Sequence, residues 1–306
     1  AIQLVQKHSF DSFILFATDE VAFGENIKFT LEDLSALRDK LDSISEDKVL
    51  FFLDGENGLG RRCSVGEEHD FSNIEALDDN QIKNIFDSIN SELYTNKISF
   101  NLAPVVDLGQ KKSKVLSGRT FSESPQVVTK IAKIFLDSCA DNNLISCLKH
   151  FPGHGIVDGD THDKLIKSST SDPNLINDHL QPFVDLAHDV EMMMINHINY
   201  SFYDSPLIPA SMSENIIRRL LLEELDFKGL IISDSIRMGA LTENFSESKI
   251  SQEFILNGGD LILDPIGPAQ LIDVIGNIYS KASEDIDEKI KKIIKIKNKA
   301  RSLMFR

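Results

Sequence analysis

Cysteine occurs only at positions 63, 139 and 147. An odd number without metal-type spacing argues against a disulfide framework and for a reduced compartment. Positive charge is scarce too: 32 Lys and Arg stand against 48 Asp and Glu, a formal net charge of −16. Nucleic-acid binding needs a basic surplus on some face, so that partner is set aside. An acidic surface still leaves room for an anionic substrate in a locally basic pocket. No apolar run approaches the ~20 residues that span a bilayer. No Gly/Ser linker, low-complexity tract or composition shift divides the 306 residues, so a single domain, 1–306, is expected.

Against these absences stand seven short, continuously apolar runs: "FILFA" (13–17), "VLFFL" (49–53), "ISFNLAPVV" (98–106), "LISCLK" (144–149), "MMMIN" (192–196), "LIIS" (230–233) and "LILD" (261–264). Continuous rather than alternating hydrophobicity suits parallel strands buried on both faces. Helical patterns lie between them. "TLEDLSALRDKL" (30–41) offers Thr30 as a cap with Asp33 at the third helical position, "SPQVVTKIAKIFLDSCADN" (124–142) carries Pro125 in its first turn, and "SENIIRRLLLEEL" (213–225) follows the same period. Repeated strand–helix alternation predicts an α/β protein with a parallel sheet. A closed (β/α)8 barrel needs one strand more than these seven, and the segment before "FILFA" is too short for a strand plus a crossover helix. Either the chain begins one strand late or the sheet is open. The Lys-rich C-terminal segment "IDEKIKKIIKIKNKARSLMF" reads as an amphipathic helix covering the sheet; contact with an anionic membrane is the lesser alternative.

Polar residues collect at the carboxyl ends of these runs: Asp54, Asp107, Lys149 with His150, His197, Asp234 and Asp264. In parallel α/β folds those ends converge on one site. Three chemistries fit the residue types. A divalent metal would use His150, His154, His162 and nearby aspartates, but Pro152, Gly153 and Gly155 deny the i, i+4 histidines a regular helix. A serine nucleophile would want a G-x-S-x-G elbow, which is absent; Ser233 is read instead as a neighbour that orients Asp234. Glycoside hydrolysis by double displacement would use Asp234 as nucleophile and "DTH" (160–162) as an acid/base pair, Asp160 steadying His162 on a Gly-rich loop.

The motif "KHFPGHG" (149–155), followed after four residues by "DTH", resembles the K-H-F-P-G-H-G…D-S-H signature of the glycoside hydrolase family 3 β-N-acetylglucosaminidases of bacterial cell-wall recycling. "IISDSIRM", "NLAPVVDLG" and "SGRTFSESP" are similar to further segments of that family, and the resemblance runs over nearly the whole chain. It implies a (β/α)8 TIM-like barrel whose first strand is missing from this chain. It implies Asp234 as nucleophile, Asp160 and His162 as the acid/base dyad, and Asp54, Arg62, Arg119, Lys149 and His150 as ligands of the sugar, with His197 near the same pocket. No cofactor and no metal are expected, and no nucleic-acid or membrane partner. The implied protein is a cytoplasmic monomer cleaving GlcNAc from anhydroMurNAc muropeptides.

Two departures matter. The family's D-x-E-G-G-R-V-x-R stands here as "DGENGLGRR" (54–62), with Asn57 for a glycine and Leu59 for an arginine, and the paired aspartates after the nucleophile's serine become Asp234–Ser235. The altered loop keeps open a sugar-binding barrel with lost or weak turnover; a β-glucosidase or phosphorylase of the same family is the other alternative.

Overall fold

The computed structural model describes residues 1–15, 18–20, 25–27, 29–109, 115–157, 165–204 and 208–305. Its centre is a six-stranded sheet: β1 (Ser12–Leu15), β2 (Leu50–Leu53), β3 (Phe100–Asn101), β4 (Ile145–Phe151), β5 (Met192–Ile195) and β6 (Leu230–Ser233). Every neighbouring pair is parallel and the spatial order is the chain order. A doubly wound sheet reverses direction at its switch point; unbroken sequential order is that of a barrel. A seventh position follows in the same sense, where Leu261 bridges in parallel to Ile232. The fold is accordingly a TIM-like (β/α) barrel. Ahead of β1 the described chain is helical (α1, Ile2–His8).

The two faces of the sheet bury different partners. Phe51, Leu53, Met193, Ile195 and Ile231 pack outward under α3 (Asp79–Thr95), α4 (Pro125–Asp141) and α5 (Pro173–Leu186). The alternate residues, among them Leu50, Phe52, Phe100, Cys147, Met192, Met194 and Ile232, form a separate inner cluster. Phe52 and Phe100 stack there with centroids 4.0 Å apart. Both faces are apolar, as the continuous runs require.

The helices begin where cap chemistry dictates. Thr30 and Asp33 form a reciprocal capping box at the start of α2 (Leu31–Asp42), and the Ser124 hydroxyl accepts the Val127 N–H ahead of Pro125. Such caps contribute about 1 kcal/mol each. Beyond β6 come α6 (Gly239–Thr242), α7 (Glu247–Leu256) and α8 (Pro268–Tyr279). Then α9 (Ser283–Met304) sets Ile296 and Ala300 into the inner cluster, so the basic C-terminal segment is a helix on the sheet.

Three local expectations differ. The run 98–106 yields a strand of only two residues, because Pro104 supplies no N–H to the ladder and pairing resumes as a single Val105–Lys149 bridge. The run 261–264 is likewise held by one bridge. Residues Asn215–Glu224 wind with the wider π-type repeat, Leu225 N–H donating to the Leu220 carbonyl, rather than as a regular α-helix.

Candidate active site

The strand ends do converge. Asp54 follows β2, and the next residue, Gly55, is fixed to β3 by paired hydrogen bonds with the Asn101 amide, 3.1 and 3.3 Å long. Lys149, inside β4 and almost wholly buried, places its ammonium 2.7 Å from Asp54 Oδ1 and 2.6 Å from Glu56 Oε1. Arg119 grips Glu56 with two hydrogen bonds of 2.7 Å, and Arg62 reaches Asp54 Oδ2 at 3.0 Å. Five charges thus share one network. Burial pushes the Glu56 carboxyl up, but Arg119 and then Lys149 outweigh it and hold the group well below the usual range. At Asp54 burial is likewise overcome, by Lys149 and then Arg62. Burial pushes the Lys149 pKa down; Asp54 and Glu56 reverse this and raise it. Asp54, Glu56 and Lys149 stay ionised at neutral pH, the condition under which buried ion pairs hold together.

The altered loop 54–62 keeps this network intact. The Asn57 amide donates to the His69 carbonyl at 3.0 Å while His69 N–H returns a 2.7 Å bond to the Asn57 carbonyl. Leu59 is fully buried in a short 3-10 turn, Leu59–Arg61. Gly58 is obligatory: it has φ +123°, and a Cβ there would lie 2.1 Å from the Glu67 carbonyl oxygen. Asn57 is absorbed by its bonds to His69, and Leu59 by burial in the core.

Asp107, fully buried, organises the histidines. Its Oδ2 accepts from His150 Nδ1 at 2.7 Å and from the His150 N–H at 3.2 Å; Oδ1 accepts the His154 N–H at 2.5 Å. A carboxylate on Nδ1 fixes the ring's tautomer and orientation. His154 lies in a one-turn helix, and burial pushes its pKa down to about 4, so it is neutral and holds the loop through its backbone. Tyr200 completes the support, donating to the Gly153 carbonyl at 2.9 Å, while Asn196 donates to the His150 carbonyl at 3.0 Å.

Asp234 follows β6 directly and is partly exposed, with its N–H bonded to the Ile195 carbonyl at 2.9 Å. Burial pushes its carboxyl up; His150, His197, the Ser235 N–H and Lys149 together hold it below the ordinary range. The Ser235 N–H donates to Oδ1 at 2.8 Å. Among the described residues Oδ2 accepts no hydrogen bond. Among the described residues the carboxylate therefore has one oxygen engaged, by the backbone of the next residue. Ser235 Oγ donates to Asp264 Oδ2 at 3.1 Å, and exposed Arg237 lies 3.2 Å from Asp264 Oδ1.

Asp54, Arg62, Arg119 and Lys149 are gathered in one network, with His150 and His197 acting electrostatically on Asp234. Asp160 and His162 lie outside the described residues. Ser233 does not orient Asp234: its hydroxyl accepts the Leu263 N–H at 3.1 Å and ties the seventh segment to the sheet. His197 has both ring nitrogens bonded within the protein, to Ser211 and to the Ser235 carbonyl. Sequence reasoning passed over Glu56, the charge shared by Lys149 and Arg119, and Asp107 as the partner of His150. The offset Asp54-x-Glu56 carried the first signal; Asp107 lay in the list of polar strand ends. Among the described residues no three His, Cys, Asp or Glu side chains are grouped to hold a metal ion, and no helix is long and apolar enough to cross a membrane.

A sequentially ordered parallel barrel with charged strand ends defines the class of (β/α)-barrel enzymes. Residues 2–296 match the glycosyl hydrolase family 3 N-terminal domain. The chain belongs to that family and is a glycoside hydrolase. A β-hexosaminidase of Hydrogenovibrio crunogenus is 28% identical over 275 residues, covering 83% of this chain and 74% of that protein. β-Hexosaminidase A of Pseudoalteromonas piscicida is 27% identical over 296 residues, covering 89% of this chain and 48% of that protein. In fold, the chain matches a family 3 β-N-acetylglucosaminidase from Paenibacillus sp. strain FPU-7 with TM-score 0.85 at 21% identity, over 98% of this chain and 58% of that one. It matches the β-N-acetylglucosaminidase of Thermotoga maritima with TM-score 0.80 at 21% identity, over 96% and 63%.

Proposed function

We propose that the chain is a retaining exo-β-N-acetylglucosaminidase that removes terminal β-linked GlcNAc from peptidoglycan fragments of the GlcNAc-anhydroMurNAc type, as a cytoplasmic, monomeric, single catalytic barrel. The Asp234 carboxylate carries this reading: it is ionised, it stands on a rigid strand end, and the Ser235 N–H engages only one of its oxygens. Asp234 Oδ2 attacks the anomeric carbon, forming a glycosyl ester as the bond to the leaving oxygen breaks. His162, steadied by Asp160, passes its proton to that oxygen. Neutral His162 then takes a proton from water, whose oxygen attacks the anomeric carbon and releases Asp234 and the sugar.

Asp54, Arg62, Arg119, Lys149 and His150 hold the sugar. Lys and Arg donate to hydroxyls or the acetamido carbonyl, and Asp54 accepts from hydroxyls. Because Asp54, Arg62, Lys149 and Arg119 are already joined in one network through Glu56, and His150 is held by Asp107, these groups are pre-organised and sugar binding costs little side-chain ordering. The two named β-hexosaminidase relatives support the hexosaminide specificity. The ionised Asp234 carboxylate, with Oδ1 engaged by the Ser235 N–H, favours turnover over a barrel that only binds sugar.

The test is hydrolysis of an aryl β-N-acetylglucosaminide. We expect turnover in the unmodified protein, a loss of at least ~10³-fold in Asp234→Asn, and a strong fall in His162→Ala. Binding without turnover in the unmodified protein would overturn the proposal, as would an aryl β-glucoside hydrolysed faster than the hexosaminide.

A further inference from the structure

His197 stands two residues beyond β5, on the segment that passes beside the end of β6. It is fully buried. Its Nε2 lies 3.0 Å from the carbonyl oxygen of Ser235. A carbonyl can only accept, so Nε2 carries the proton. Nδ1 is left as an acceptor, and the hydroxyl of Ser211, 2.8 Å away, supplies the hydrogen. Ser211 is itself buried in the short turn Ala210–Met212, its N–H tied to the Asn196 carbonyl at 3.1 Å. The imidazole is thereby locked in one tautomer and one orientation, with neither nitrogen left for a ligand.

Its partner is the residue that follows the nucleophile. Ser235 is held on three sides: its N–H by Asp234 Oδ1, its hydroxyl by Asp264, and its carbonyl by two donors. These are His197 Nε2 at 3.0 Å and the Met238 N–H at 3.2 Å, of which His197 is the one side chain. The N–H and the carbonyl belong to the peptide groups on either side of one Cα, so fixing the second restricts the backbone rotation that aims the first. We propose that His197, backed by Ser211, is a positioning residue that fixes the Ser235 backbone and so decides which oxygen of Asp234 is free to attack. This rests on Asp234 being the nucleophile, and it gives His197 the role of supporting the attacking group rather than of touching the sugar.

The geometry separates the two roles. A sugar ligand acts on the bound ground state, so its loss appears in KM; a group that aims the nucleophile acts on the approach to the transition state, so its loss appears in kcat. Steady-state kinetics on an aryl β-N-acetylglucosaminide with four variants reads the difference. Asp234→Asn should abolish turnover; if it does not, the nucleophile assignment itself is wrong. With that established, His197→Ala should lower kcat by about 10²-fold, the cost of a misplaced reacting group, with KM within about twofold. His197→Gln carries an amide N–H that can reach the Ser235 carbonyl and should recover much of kcat. Ser211→Ala leaves the imidazole without its tautomer-fixing donor and should lower kcat less than His197→Ala, again at constant KM. Should His197→Ala fail to fold, Ser211→Ala decides alone. A loss expressed in KM, or an unchanged kcat in folded Ser211→Ala and His197→Ala, would overturn the proposal.

Discussion

The two ends of the same strands carry ion pairs of the same chemistry in opposite arrangements. At the amino ends four cations come from one element, α9. Lys297 and Arg301 meet Asp11 ahead of β1, Lys299 meets Glu191 ahead of β5, and Lys292 meets Asp260 and the Gly229 carbonyl ahead of β6. Arg301 also donates to the Lys48 carbonyl ahead of β2. One helix staples several strands, which is an arrangement for holding a sheet together. At the carboxyl ends Arg62, Arg119 and Lys149 arrive from separate segments and meet Asp54 and Glu56 beside Asp234. Many elements converge there on one place, which is an arrangement for holding a ligand. In barrels of this kind chemistry belongs to the second end and stability to the first.

Substitutions at the two ends should therefore part company. The largest effect outside the nucleophile is expected for Glu56→Gln, which leaves Arg119 and Lys149 short of a buried partner. It should cost about 3–5 kcal/mol of stability and weaken sugar binding together, read by denaturant unfolding and by titration with GlcNAc. Acid should act through the same group. Glu56 and Asp54 have folded pKa values below their ordinary 4.5 and 3.8. Their stabilisation is complete above those ordinary values and is lost as pH falls through the lowered ones. His154 is kept neutral with a pKa of about 4 against an ordinary 6.5, so stability already begins to fall below pH 6.5. The thermal midpoint should decline in two stages between neutrality and strong acid, and Glu56→Gln should be lower throughout but flatter in the second stage.

The smallest effect is expected at the amino end. Lys299 is nearly half exposed, so Lys299→Ala should cost no more than about 1 kcal/mol, with kcat and KM unchanged. A drop in kcat there would erase the contrast between the two ends.

The strands were readable because each is a continuous apolar run, and the caps because Thr30, Asp33, Ser124 and Pro125 act within a few residues of themselves; the runs alone left barrel and open sheet undecided. The π-type winding of Asn215–Glu224 was not, since apolar spacing over ten residues does not separate an i+4 from an i+5 repeat. At the site, individual charges were legible but their pairing was not. Glu56 meets Arg119 across 63 residues, and Ser211 meets His197 through a turn that no local pattern marks. Ser233 and His197 were placed correctly at strand ends. Their partners, Leu263 N–H and the Ser235 carbonyl, are backbone groups, which side-chain identity does not announce.

Covalent trapping tests the central claim most directly. The protein would be incubated with a 5-fluoro N-acetylglucosaminyl fluoride, digested and read by mass spectrometry. The account expects a single added fluoro-N-acetylglucosaminyl residue on the peptide containing Asp234, and none in Asp234→Asn. An adduct on another carboxylate, or full turnover of an aryl β-N-acetylglucosaminide by Asp234→Asn, would contradict it.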